Sequence, residues 1–130
     1  MKEKTVLVIE DNHLNMKLIT ILLKLRNYQT IEAVDAEKGI QLAREYHPDL
    51  ILMDIQLPGM DGLTATRVIK NDSALKDIPV VALTGDAMQG DDKKTRNAGF
   101  ASYLAKPIDT RSFLESIGRV LGPSPFKVDL

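Results

Sequence analysis

Five residues that could carry chemistry each follow a short apolar run of the chain. Glu10 and Asp11 form an acid pair after the first run, Asp54 follows a later run, and Thr84 and Lys106 end two more. Carboxylate oxygens bind hard cations such as Mg²⁺, and a carboxylate can act as a nucleophile. Hydroxyl and ammonium groups pair with phosphate oxygens. The set therefore predicts a phosphoryl-transfer site, provided that the fold brings these residues together.

The elements that must position these residues alternate strictly between strand and helix. Apolar, β-branched runs predict strands at 5–9, 28–34, 49–53, 80–83 and 101–105. Helical periodicity and capping residues predict helices at about 12–26, 36–46, 62–70, 89–98 and 110–121. Such alternation predicts an α/β fold whose parallel sheet has helices on both faces. We expect a flavodoxin-like, doubly wound (βα)5 sandwich with strand order 2-1-3-4-5, one of two common orders.

This strand order would gather the five residues at one edge of the sheet. Ligands of open parallel sheets bind at the carboxyl ends of the strands, near the point where the strand order reverses. Strands one and three would be neighbours, so Glu10, Asp11 and Asp54 would converge and favour a cation such as Mg²⁺. Lys106 and Thr84 could then contact the phosphoryl oxygens. We expect Asp54 to be ionised near neutral pH and to need no general base.

Composition argues against several other classes of protein. The chain has 130 residues, a formal charge of −1, no cysteine and no block of basic residues, which argues against nucleic-acid binding and thiol chemistry. It contains no apolar stretch near the roughly 20 residues of a membrane span, and we expect a cytoplasmic protein. We predict one domain at 1–122, followed at 123–130 by a flexible tail or the start of a linker.

Four sequence features together resemble the receiver domains of two-component signalling. They are the pair Glu10-Asp11, the run from Asp54 to Gly62, Thr84 after an apolar strand, and the run from Tyr103 to Pro107. The resemblance covers about residues 4–121. It implies a signalling switch rather than an enzyme, in which Asp54 takes a phosphoryl group from a histidine kinase or a histidine phosphotransferase of a phosphorelay.

The resemblance also implies roles for individual residues. Asp11, Asp54 and the backbone carbonyl of Gln56 would hold Mg²⁺, with Glu10 assisting through water. Lys106 would contact the phosphoryl group.

The same resemblance implies a switch, in which Thr84 would move toward the phosphoryl group and the ring of Tyr103 would swing inward behind it. Two positions depart from the commonest family pattern. The acid pair is Glu-Asp rather than Asp-Asp, and Gly85 stands where alanine is more usual, which would leave the site more open.

The first predicted helix is more apolar than one buried face requires. One helical stripe comprises Leu14, Leu18, Ile21, Leu22 and Leu25, whereas Met16, Ile19 and Leu23 lie largely on the other side. In receivers this helix commonly docks on a helical bundle that carries the phosphodonor histidine. It is therefore our candidate partner surface, although the neighbouring elements could equally cover both flanks, and the sequence does not decide which stripe faces outward.

Three alternatives remain at this point. A phosphatase of the haloacid-dehalogenase type would need a second acid where Asp54-Ile55-Gln56 has glutamine. A flavodoxin-like cofactor binder would need a phosphate-binding loop where the chain has Glu10-Asp11. The domain could also be a receiver excised from a hybrid histidine kinase. The start at Met1 favours a stand-alone regulator, similar to the single-domain regulators of chemotaxis, phosphorelays and DivK-type cell-division pathways. A downstream protein target is also possible.

Overall fold

The computed structural model describes residues 3–85 and 97–122 of the chain. The strands are β1 (Thr5–Ile9), β2 (Gln29–Ala33), β3 (Leu50–Asp54), β4 (Val80–Thr84) and β5 (Ser102–Ala105). The helices of the described residues are α1 (His13–Leu25), α2 (Ala36–Tyr46), α3 (Gly62–Lys70) and α4 (Thr110–Leu121). Each of these elements agrees with its predicted counterpart to within about two residues. Most of the helix predicted at 89–98 and the tail predicted at 123–130 lie outside the described residues.

The five strands form one parallel sheet in the order β2-β1-β3-β4-β5. Strand β1 pairs with β2 on one side and with β3 on the other, so the acids that follow β1 lie beside the end of β3. Strand β3 pairs in turn with β4, and β4 with β5. The predicted fold class and strand order are confirmed.

Two apolar layers enclose the sheet, one on each face. Alternate residues of β1 enter different layers: Val6 and Val8 pack toward α1 and α4, whereas Leu7 and Ile9 pack on the α2 and α3 side. Strands β3 and β4 are buried along their whole length. Because both faces are covered, these strands are uninterrupted apolar runs rather than alternating ones, which is the pattern that made them readable in the sequence.

Each helix begins at a polar residue whose side chain caps it. The side-chain oxygens of Asn12, Asp35, Asp61 and Asp109 accept hydrogen bonds of 2.8–2.9 Å from the backbone N–H three residues further on. A cap of this kind contributes about 1 kcal/mol and fixes where the helix starts. Since each helix follows the carboxyl end of a strand, the caps also set the spacing of the loops that carry the site.

None of the helices in residues 3–85 and 97–122 is both long enough and apolar enough to cross a membrane.

Candidate functional site

The carboxyl ends of β1, β3 and β5 bring four of the predicted site residues into contact. Carboxylate oxygens of Glu10, Asp11 and Asp54 all lie within 4.8 Å of one another. The ammonium nitrogen of Lys106 lies 2.8 Å from Oε1 of Glu10 and 3.1 Å from Oδ2 of Asp54. Two buried acids therefore share one lysine, and the third acid stands at the open side of the cluster.

Glu10 and Asp11 occupy very different environments although they are adjacent. Glu10 is fully buried, whereas Asp11 is exposed. Oε2 of Glu10 accepts a hydrogen bond of 3.0 Å from the backbone N–H of Asn12, which fixes the turn into α1. Oε1 is buried and lies 2.8 Å from Nζ of Lys106, its charged partner in the cluster. Glu10 thus forms the buried part of the acid cluster, and Asp11 forms its solvent-exposed part.

Burial shifts the proton affinity of the central carboxylate. Asp54 is almost completely buried, and this desolvation, together with the hydrogen bond and negative charge of Glu10, raises the pKa of Asp54 to about 7. Lys106 opposes the shift but does not cancel it. The expectation that Asp54 is ionised near neutral pH therefore does not hold for the metal-free protein, because burial and Glu10 favour the protonated form up to about pH 7. The sequence located the acids but not the extent of their burial.

Lys106 remains charged despite its partial burial. Desolvation disfavours the ammonium form, but the hydrogen bonds and negative charges of Glu10 and Asp54 outweigh it and raise the pKa of Lys106. The site therefore keeps a fixed positive charge beside the carboxylate of Asp54. That charge suits an incoming phosphoryl group, which brings several negative oxygens.

Thr84, Gln56 and Tyr103 lie around this cluster at three different depths. Thr84 is buried at the end of β4, one residue beyond Leu83, the register partner of Asp54. Gln56 is exposed, and its backbone N–H donates a 3.0 Å hydrogen bond to Oδ1 of Asp54. Tyr103 is half-buried on β5. These positions are compatible with the roles that the resemblance implies, and the roles stay predictions.

Gly85 is exposed at the end of β4. Among the described residues, a Cβ atom added to Gly85 would meet only Oε1 of Gln56, at 3.7 Å. Within the part of the chain that the structure describes, an alanine here would therefore meet no steric obstacle.

Gly62 is a positioning residue that the sequence analysis quoted only as part of a motif. Its backbone N–H donates a 3.0 Å hydrogen bond to the carbonyl of Ile55, which brings the start of α3 against the loop after Asp54. A Cβ atom on Gly62 would overlap the carbonyl oxygen of Asp54 and would lie 2.7 Å from Cα of Ile55. Only glycine allows this close approach, and no periodicity or charge pattern signals it in the sequence.

Helix α1 has a buried face and an exposed apolar face. The buried apolar residues are Met16, Ile19, Leu22 and Leu23. Leu14, Leu18, Ile21 and Leu25 are exposed, each by 38% or more, and we call them the α1 stripe. The sequence analysis grouped Leu22 with these four residues without deciding which stripe faces outward; in the structure Leu22 is buried and packs in the core beneath α1 and α4. The remaining four residues keep the predicted i, i+4, i+7, i+11 spacing.

The comparison with protein families decides which class of protein carries this site. Residues 6–118 match the response regulator receiver domain. The chain belongs to this family. The match covers the sheet from Val6 onward, which leaves out only Thr5 of β1, and it includes the four site residues in contact.

Similar proteins include response regulators of about the same length as this chain and receiver domains of histidine kinases. The chain is 47% identical to the polar-differentiation response regulator DivK of Brucella ovis over 119 residues, which cover 92% of this chain and 97% of that protein. It is 33% identical to the receiver domain of the sensor histidine kinase PA1611 of Pseudomonas aeruginosa, with a TM-score of 0.86 and coverage of 93% and 99%. That structure has a magnesium ion coordinated in its active site cleft.

The fold is shared with a more distant structure as well. The chemotaxis response regulator CheY4 of Vibrio cholerae is 22% identical, with a TM-score of 0.87 over 92% of this chain and 100% of that one. At this identity the likeness concerns the fold alone.

The acid cluster of this receiver domain fits a divalent cation. Three carboxylates supply hard oxygen ligands within 4.8 Å of one another, one of them at the solvent side. Oε1 of Glu10 is buried and has unused acceptor capacity among the described residues, so it could accept a hydrogen bond from a metal-bound water. Mg²⁺ typically takes one or two carboxylates and retains several waters, which matches one exposed and two buried acids.

Proposed function

We propose that this receiver domain accepts a phosphoryl group from a phosphohistidine onto Asp54, in a Mg²⁺-dependent reaction of a two-component system or phosphorelay. The observation that carries the proposal is the placement of Lys106 against Asp54, with two further acids at the end of the neighbouring strand. A nucleophilic carboxylate, an ammonium group and a cation site within one small cluster are what phosphoryl transfer requires.

In the proposed reaction, a carboxylate oxygen of Asp54 forms a bond to phosphorus as the phosphorus–nitrogen bond of the phosphohistidine breaks. The leaving imidazole keeps the electron pair and takes up a proton from solvent. Lys106, whose Nζ lies 3.1 Å from Oδ2 of Asp54, would pair with the transferred phosphoryl oxygens. Asp11, Asp54 and the backbone carbonyl of Gln56 would hold Mg²⁺, and Glu10 would act through water. When bound, Mg²⁺ would offset the negative charge of the carboxylates and the phosphoryl group.

The proposed output is a change in the surface near β4 and β5. Thr84 would turn its hydroxyl toward the new phosphoryl group, and the ring of Tyr103 would move inward behind it. Both residues lie on strands that pair with each other, since the register couples Thr84 to Ala105, two residues beyond Tyr103. A local electrostatic change at Asp54 can thereby alter a partner-binding surface, so the domain acts as a switch rather than as an enzyme with a separate substrate.

Phosphorylation by a small-molecule donor tests the acceptor directly. The protein is incubated with Mg²⁺ and acetyl phosphate, and the intact mass is measured. We expect a gain of one phosphoryl group that is abolished by EDTA and by Asp54→Asn. The matched control is Asp61→Asn, which alters an exposed acid of the same loop and preserves its helix cap. A gain that persists in Asp54→Asn would contradict the assignment of the acceptor.

We propose that the α1 stripe binds the helical bundle that carries the phosphodonor histidine. The stripe is apolar and exposed, and it lies on the helix that directly follows Glu10 and Asp11 in the chain. Exposed apolar patches of this kind mark protein interfaces. A partner seated on α1 would therefore present its histidine near Asp54.

An aspartate substitution in the α1 stripe distinguishes a defect in partner docking from a defect in phosphoryl transfer to Asp54. Ile21→Asp should slow transfer from a phosphorylated histidine phosphotransferase by about tenfold or more, since buried interface residues commonly contribute 1–2 kcal/mol or more. Its phosphorylation by acetyl phosphate should stay unchanged. Tyr46→Asp, at an exposed residue of α2, is the control. Equal transfer rates for Ile21→Asp and the wild type would place the partner elsewhere.

We further propose that the protein is a stand-alone, cytoplasmic regulator that acts on a downstream protein target. The support is that a DivK protein 47% identical to the chain is matched over 97% of its length. The alternative is a receiver domain excised from a hybrid kinase. The observation on its side is the 33% identity to the receiver domain of a sensor histidine kinase. The cytoplasm is the compartment in which ATP would supply the phosphoryl group to a donor kinase.

A further inference from the structure

The strongest aromatic contact among the described residues lies beside the proposed switch. The rings of Phe100 and Tyr103 are 5.9 Å apart between centroids, with an angle of 62° between their planes. This edge-to-face arrangement is the one that aromatic pairs favour, and it adds attraction beyond the burial of apolar area. Neither the sequence analysis nor the proposed function gives Phe100 a role.

The backbone holds Phe100 in a fixed place. Gly99 adopts a left-handed conformation with φ of +98°, and a Cβ atom added to it would lie 3.0 Å from Cγ of Lys70, so the turn favours glycine. The Nζ of Lys70 is itself fixed by hydrogen bonds to the carbonyls of Lys76 and Ile78. After Phe100, the backbone N–H of Ala101 donates a 2.8 Å hydrogen bond to the carbonyl of Val80. The ring of Phe100 therefore projects from a turn that is anchored on both sides.

Phe100 and Tyr103 lie on the same side of the sheet. Leu104 packs in the layer beneath α1 and α4, so strand alternation directs Tyr103 to the opposite face. Phe100 packs against the layer of that opposite face. Both rings are half-buried; Phe100 packs against the core layer of this face, and Tyr103 lies on the edge strand β5.

We propose that Phe100 is a positioning residue that holds the ring of Tyr103 in the orientation seen in this structure. A ring that projects from an anchored turn favours the rotamer of a neighbouring ring that keeps the edge-to-face contact. The inference rests on the proposed function in one respect, namely that Tyr103 is the residue that moves on phosphorylation. A contact of this type changes a rotamer equilibrium by about two- to tenfold, which is enough to set the resting state of a switch.

NMR of the unphosphorylated full chain tests this orientation without relying on phosphate. The χ1 populations of Tyr103 are measured from side-chain couplings, and Tyr28→Phe and Tyr46→Phe identify its signals among the three tyrosines. Phe100→Leu keeps apolar volume but removes the ring, and it should lower the ratio of the observed rotamer to the other rotamers by about two- to tenfold. Phe100→Tyr keeps the edge-to-face contact and should restore that population.

A control variant tests whether a loss of stability alone changes the Tyr103 couplings. Ile78→Val trims a buried residue of the same core layer and should leave the Tyr103 couplings unchanged. In the wild type, acetyl phosphate should move the couplings in the direction that Phe100→Leu reaches without phosphate. Unchanged Tyr103 couplings in Phe100→Leu, or a shift in the opposite direction, would overturn the inference. If Asp54 is not phosphorylated, the proposed function fails, but the comparison of resting rotamers still decides the role of Phe100.

Discussion

Magnesium affinity should rise about 50-fold between pH 5 and pH 7, because Mg²⁺ and a proton compete for the carboxylate of Asp54. In the metal-free protein, burial and the neighbouring Glu10 raise the pKa of Asp54 to about 7. Below that value the protonated form predominates, and each further pH unit lowers the fraction of metal-competent protein by about tenfold. A carboxylate with an ordinary pKa near 4 would leave the affinity almost constant over this interval.

Isothermal titration calorimetry measures both the affinity and the protons that accompany it. At pH 6, titration in buffers of different ionisation enthalpy should show about 0.9 proton released per Mg²⁺ bound. Asp54→Asn is the control, because the amide cannot titrate and its weaker metal binding should lose this pH dependence. A dissociation constant that stays the same from pH 5 to pH 7, with no proton release, would show that Asp54 is already ionised when the metal arrives.

The same shift makes the metal-free fold less stable as the pH rises. The pKa of Asp54 is higher in the folded state than in the unfolded chain, so the folded state binds more protons between about pH 4 and pH 7. Its stability therefore falls across that window and levels off above it. Under the proposed function, Mg²⁺ would bind the ionised, folded form and should restore the stability lost in this window. Thermal unfolding with and without Mg²⁺ at pH 5 and pH 7 checks this expectation.

The positions of the site residues could be predicted from the sequence because strand ends are easy to locate. A buried parallel strand is an uninterrupted apolar run, so the polar residue that ends it stands out, as Asp54 does after Met53. Once strand order was assumed, the convergence of Glu10, Asp11 and Asp54 followed. The confirmed order β2-β1-β3-β4-β5 is therefore the step on which the prediction of the site depended.

What the sequence could not predict depends on burial and on close backbone contact. Glu10 and Asp11 look equivalent as neighbours in the chain, yet one is fully buried against Lys106 and the other is exposed. Leu22 fits the stripe of Leu14, Leu18, Ile21 and Leu25 by spacing, yet it is buried in the core while those four residues are exposed. Both outcomes depend on which elements pack against a residue, and this is a property of the tertiary structure that periodicity within one helix or loop does not contain.

Gly62 shows such a tertiary requirement most clearly. Gly62→Ala should lower the free energy of unfolding by about 3 kcal/mol or more. The added methyl group would overlap the carbonyl oxygen of Asp54 and lie 2.7 Å from Cα of Ile55. Both obstacles are backbone atoms, so relief requires a movement of α3 or of the loop after β3. That movement would displace Asp54, and phosphorylation by acetyl phosphate should fall along with stability.

Two other glycines supply matched controls for urea unfolding at one pH. Gly39→Ala would overlap Cδ1 of the Ile9 side chain and lie 2.7 Å from its Cγ1, and a side chain yields more readily than backbone, so we expect a smaller loss of about 1 kcal/mol. Gly118→Ala in α4 would meet none of the described residues within 4 Å and should stabilise the protein by about 0.5–1 kcal/mol through helix propensity. If Gly62→Ala were as stable as Gly118→Ala, the start of α3 would be free to move, and its close approach would not be what positions Asp54. The predicted order of the three variants follows from what each methyl group meets: backbone, a buried side chain, or no described atom.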